Sequence, residues 1–149
     1  MSLQQDVMAA MKTAMKEKDQ LALAALRAVK SEILLAQTQT GTKEELTSEE
    51  EIKILSKLVK QRKDSAAIFA EQNRADLAEP ELAQAKVISQ FLPEQLSEDE
   101  ITNVVKEVIA KVGADGMKDM GKVMGVVTQQ LAGKADGKTI STIVRQQLA

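Results

Sequence analysis

The residues with chemistry to offer concentrate in one stretch, MKDMGKVMGVVTQQLAGKADGKT, from Met117 to Thr139. It holds four of the chain's seven glycines, Gly121, Gly125, Gly133 and Gly137, and the lysines Lys118, Lys122, Lys134 and Lys138. A glycine inside a helix costs about 1 kcal/mol relative to alanine, so each one needs a reason. Wound as a helix, the segment separates into faces. Met120, Met124, Val127 and Leu131 form an apolar stripe expected to face a core. Beside it runs a strip of small residues, Gly121, Gly125, Thr128 and Ala132, and beyond that lie Lys118, Lys122 and Gln129. Such a strip lets a backbone come close. Either another helix of the same bundle crosses tightly there, or a sugar–phosphate backbone approaches the glycines with the lysines alongside.

The end of the stretch, AGKADGKT, imitates a phosphate loop without being one. A P-loop spaces its glycines as G-x-x-x-x-G-K-[ST] after a strand, so that backbone amides wrap the phosphates. Here Gly133 stands one residue too close to Gly137-Lys138-Thr139, Ala132 occupies the required place, and a helix leads in. A nucleotide-hydrolysing P-loop is rejected on that basis. Two lysine–glycine corners entering the last helix still suit an anion, because free amides gather at a helix N-terminus.

The rest of the inventory argues against an independent enzyme. The chain has no Cys, His, Tyr or Trp, which removes thiol nucleophiles, the commonest general base and the usual zinc ligands. Carboxylates, lysines and hydroxyls remain, yet no catalytic constellation, cofactor site or metal site is legible. A second basic group, Lys57, Lys60, Arg62 and Lys63, spreads around a helix with acids nearby, which predicts a solvated, ion-paired face.

The elements that must position these residues are helices. The chain has 149 residues, two of them Phe, and is rich in Ala, Glu, Lys, Leu and Gln, so an all-α fold with an aliphatic and Met core is expected. Apolar spacing predicts helices over about 2–17 and from near Leu23 to before Gly41. A third starts at the capping-box signal Thr47-Ser48-Glu49-Glu50-Glu51 and runs to about Gln72. A fourth, about 80–91, is expected to start near Pro80. In FLPEQLSEDEI, Pro93 stops one helix, and Ser97 with Glu100 opens another. The domains are therefore placed at 1–92, a bundle of about four helices, and 97–149, a three-helix tail, with a linker at 93–96. In the tail, Ile101, Val104, Val105, Val108 and Val112 form one stripe closed by Gly113, and helices follow over about 117–132 and 139–148, the last with Ile140, Ile143, Val144 and Leu148 inward. Residues 117–149 carry five basic and two acidic side chains in a chain of net charge −2, a hint of a polyanionic partner at that end. LALAALRAVK resembles a secretory apolar region, but nearby acids and Arg27 break the pattern, and no stretch approaches the ~18 apolar residues of a membrane span. A cytoplasmic protein is expected.

LRAVKSEI, LVKQRKDS, ISQFLPEQLSEDEI, MKDMGKVMG and GKADGK resemble, in that order and across essentially the whole chain, the YqeY family. That family is related to the C-terminal tail region of the B subunit of the tRNA-dependent amidotransferase, which amidates Glu or Asp misacylated on tRNA. The resemblance implies a larger N-terminal helical part and a three-helix tail. In the amidotransferase the tail engages the outer elbow of tRNA, so the resemblance assigns tRNA contact to Lys118, Gly121, Lys122, Gly125, Gly133, Lys134, Gly137 and Lys138. It also implies amidotransferase or aminoacyl-tRNA synthetase components as partners. The kinase-like catalytic region of that B subunit is absent here, as is any amidase-type Ser/Lys centre. The family label of carbon–nitrogen ligase with glutamine as donor therefore rests on relationship alone. A protein–protein adaptor, with a partner helix beside Gly121 and Gly125, and DNA binding through the tail helices remain the alternatives, with amide transfer by the chain itself a third.

Overall fold

The computed structural model describes residues 2–39 and 45–149. Among these residues the structure is all-α, with seven helices, one 3-10 turn and no strand. It falls into two compact units, Met1–Leu92 and Pro93–Ala149.

In the first unit the first three helices, but not the fourth, begin where a side chain takes up a free amide. The helix α1 (Leu3–Glu17) opens with a capping box, Ser2 Oγ accepting from the Gln5 amide at 3.3 Å and Gln5 Oε1 from the Ser2 amide at 3.1 Å. It closes at Lys18 in the left-handed region, φ 56°. Asp19 Oδ1 accepts from the Ala22 amide in the first turn of α2 (Gln20–Gln39); the stop expected before Gly41 lies outside the described residues. Thr47 caps α3 (Ser48–Glu71) as its sequence signal indicated. The fourth helix, α4, differs from expectation. It spans Ala75–Ser89, with Pro80 inside it rather than near its start. The chain turns at Asn73, φ 59°, the Arg74 carbonyl accepts from the Leu77 and Ala78 amides, and the Arg74 guanidinium pairs with Asp76 at 2.9 Å. A full turn therefore forms ahead of Pro80, whose ring leaves only the Asp76 carbonyl without its helical donor.

The four helices bury one aliphatic core. α4 packs along α3, α2 packs on both, and α1 lies against α2. Val7, Leu26, Val29, Leu55 and Ile88 are its most enclosed side chains. Arg62 is held at the α3–α4 contact, Nε donating to Gln84 Oε1 at 3.1 Å and a terminal nitrogen to the Leu58 carbonyl at 3.3 Å. It is thus a structural residue. Lys57, Lys60 and Lys63 are exposed or nearly so, and among the described residues the one ion pair is Arg74–Asp76. The expected ion-paired face is therefore a solvated one.

The second unit is a three-helix bundle. α5 (Glu98–Val112) starts with the Ser97/Glu100 capping box and ends at Gly113, whose φ of 68° suits glycine. A 3-10 turn (Met117–Asp119) leads into α6 (Met120–Gln130), and α7 (Gly137–Leu148) closes the unit, each α-helix packing on the other two. Ile101, Val105, Val108, Val123, Val127, Leu131, Ile140, Ile143, Val144 and Leu148 make its core. The expected Met120–Met124–Val127–Leu131 face is turned. Val123 is fully buried, while Met120 and Met124 are half-buried flanks. Compact Val fills the narrow centre of a short bundle, and the longer methionines close its edge.

Candidate nucleic-acid interface

That rotation decides what the glycines face. With the core direction along Val123, Val127 and Leu131, ~100° per residue puts Gly121 about 120° and Gly125 about 160° from Val127. Both are exposed. A Cβ placed on Gly121, Gly125 or Gly137 would meet nothing within 4 Å beyond its chain neighbours and its own helix backbone. A tight crossing within the bundle is thereby ruled out as the reason for the strip, and the helix carries its glycines toward open space. Thr128, Gln129 and Ala132 are exposed on the same side, and Met117 at its start is 45% exposed.

The four lysines are exposed but unequal. Lys122 Nζ reaches the Val112 carbonyl at 3.4 Å, near the negative end of α5. Lys118, Lys134 and Lys138 have no ion pair or side-chain hydrogen bond among the described residues, so their charges are available to a ligand. The turn that carries Lys118 is held from below, Asp119 accepting from the Asp115 amide at 2.8 Å.

The loop between α6 and α7 is built differently from the helical strip. Gly133, φ 76°, makes the turn, and the Leu131 carbonyl accepts from the amides of Lys134 at 2.9 Å and Ala135 at 3.3 Å. Gly133 is thus required by backbone conformation, a role separate from that of Gly121 and Gly125. Asp136 is the N-cap of α7 and accepts from the Lys138 amide at 3.2 Å. The anion expected at this helix start is therefore met in part by the chain's own carboxylate. The rule that an Asp before a helix caps it made this readable. No comparable signal marks Gln95 and Leu96. The Gln95 side chain donates to the Gly133 carbonyl at 2.6 Å and the Leu96 amide to the Lys134 carbonyl at 2.9 Å, across 38 positions of sequence in the first case.

The chain is similar in sequence to known proteins. The E subunit of the glutamyl-tRNA(Gln) amidotransferase of Thermococcus gammatolerans is 37% identical over 73 residues, 46% of this chain and 12% of that protein. Altered inheritance of mitochondria protein 41, mitochondrial, of Pyrenophora tritici-repentis is 29% identical over 140 residues, 91% of this chain and 75% of the relative. Its counterpart in Meyerozyma guilliermondii is 32% identical over 120 residues, 78% of this chain and 62% of the relative. The chain thus spans only a small part of the amidotransferase relative. A family model described as Yqey-like protein matches residues 4–148, nearly end to end, and the chain belongs to that family.

Proposed function

We propose that the protein binds tRNA through the glycine face of α6 and the adjoining α6–α7 loop, and assists tRNA-dependent amidation without a catalytic centre of its own. The observation that carries this reading is the open space over Gly121, Gly125 and Gly137 in a unit whose exposed lysines lie in the same segments. No helix of the chain's own bundle occupies that face, so what the glycines clear is room for something outside it. A backbone of phosphates fits a shallow strip bordered by cations better than an apolar helix does, because the strip itself has little apolar surface to bury. Similarity to part of a glutamyl-tRNA(Gln) amidotransferase supports the choice of nucleic acid and of amidotransferase components as protein partners, and we extend the proposal to aminoacyl-tRNA synthetase components.

The test is binding of bulk tRNA against salt concentration. Neutralising Lys118, Lys122, Lys134 and Lys138 together should weaken binding and flatten the log–log salt slope by about 2–4 units, at ~0.7–0.9 per phosphate neutralised. An unchanged slope sinks the reading, and tight capture of a helical protein with no RNA affinity would favour the adaptor instead. The non-catalytic half is checked separately. Purified protein should release no ammonia from glutamine above a heat-killed control and should consume no ATP.

A further inference from the structure

From the bonds around Lys134 we infer that residues 93–96 act as a strap that sets the direction of this lysine, with Gln95 as the positioning residue. This inference rests on the proposed RNA reading for its functional meaning, but not for its structural part. Both peptide groups flanking Lys134 are bonded at both ends. In the first, the Gly133 carbonyl accepts from Gln95 Nε2 at 2.6 Å and the Lys134 amide donates to the Leu131 carbonyl at 2.9 Å. In the second, the Lys134 carbonyl accepts from the Leu96 amide at 2.9 Å and the Ala135 amide donates to the Leu131 carbonyl at 3.3 Å. With both planes held, the backbone angles of Lys134 are held too, and so is the line along which its side chain leaves the loop.

Gln95 suits the task because it must donate twice. Its Nε2 also reaches the Pro93 carbonyl at 2.9 Å, so one carboxamide ties the start of the strap to the loop. Two carbonyl oxygens face it, which one NH2 group satisfies without bringing a charge; a carboxylate, which only accepts, would be repelled by both. An exposed lysine with no partner of its own gains from such a clamp. Less of its freedom is then left to be lost when a phosphate binds.

The experiment compares the full chain with Gln95→Met, which keeps length and neutrality and removes both donors. Amide hydrogen exchange should rise about 3- to 10-fold at Leu96, Lys134 and Ala135 together, the effect of the one lost bond between strap and loop, and stay unchanged at Val105, Val127 and Val144. Faster exchange at Leu96 alone, or at none of the three, overturns the strap. Bulk tRNA binding is then measured for Lys134→Ala in both backgrounds. A smaller loss of affinity in the Gln95→Met background supports the positioning role, and equal losses overturn it. If the unaltered protein binds no tRNA, the proposed function fails, and the exchange result alone decides the strap.

Discussion

At Gly125 the α6 helix accepts a residue that weakens it and that no neighbour requires, since the space above is empty. Replacing it by alanine should stabilise the second unit by roughly 0.5–1 kcal/mol, the helical cost of glycine, read as a higher melting temperature. Gly125→Leu should also fold without loss and bind tRNA less well, because the side chain stands where the RNA backbone would come. A melt that falls instead would return the glycine to a packing role. Glu51 offers a second residue-scale test in the first unit. It is half-buried at a cavity of about 420 Å3 that is also lined by Asp6 and Phe91. Burial, then the charges of Glu45 and Asp6, push its carboxyl above the usual carboxylate range. A raised carboxyl binds its proton more tightly when folded, so its contribution is fully present below the unfolded value and is lost as pH rises through the folded one. Glu51→Gln should therefore stabilise the protein at neutral pH by roughly a few tenths of a kcal/mol, a screened like-charge effect. The difference should close as the pH is lowered through the range where Glu51 protonates. Thermal melts at several pH values check the sign, and a constant difference would contradict it.

At the scale of elements, the start of α7 sets stability against binding. Asp136 holds the Lys138 amide, and its negative charge lies between Lys134 and Lys138 in the chain. Asp136→Ala should destabilise the second unit by about 1 kcal/mol through the lost cap. Asp136→Asn keeps a capping side chain and removes the charge, so the melt should hardly move while tRNA affinity rises. Equal affinity for the unaltered protein and Asp136→Asn would place phosphate away from this corner. Helix starts were the most readable elements of the chain. Thr47 and Ser97 cap as their signals indicated, because a cap is a contact between residues three apart, and Ser2 caps α1 in the same way. The start of α4 departs from the proline signal, because the helix tolerates the one bond that Pro80 leaves unmade in its second turn. The Asn73 turn and the Arg74–Asp76 pair moved the helix start ahead of it.

Taken as a whole, the chain is two aliphatic cores whose joining residues 93–96 belong structurally with the second. That unit has 57 residues by its bounds, Pro93–Ala149, small for a fold without disulfides. A fragment 93–149 should be helical with a low, cooperative melt. A fragment 97–149 lacks Gln95 and Leu96 and should be less stable by about 1–3 kcal/mol for its two lost hydrogen bonds. Denaturant titration of both fragments compares them, and identical midpoints would show that the strap adds nothing. What the sequence determined alone was the helical class, the caps at Thr47 and Ser97 and most inward positions, because each depends on spacings of three or four residues. Lys118, Lys122, Lys134 and Lys138 could be picked out as charged, and Gly121 and Gly125 as small, from their order in the chain. Which way α6 is turned was decided by packing, since Val123 and Met124 are both apolar and only the width of the bundle chooses between them. With that choice came the open face over Gly125. The bond from Gln95 to Gly133 was likewise out of reach, for it joins residues that only the closed bundle brings together.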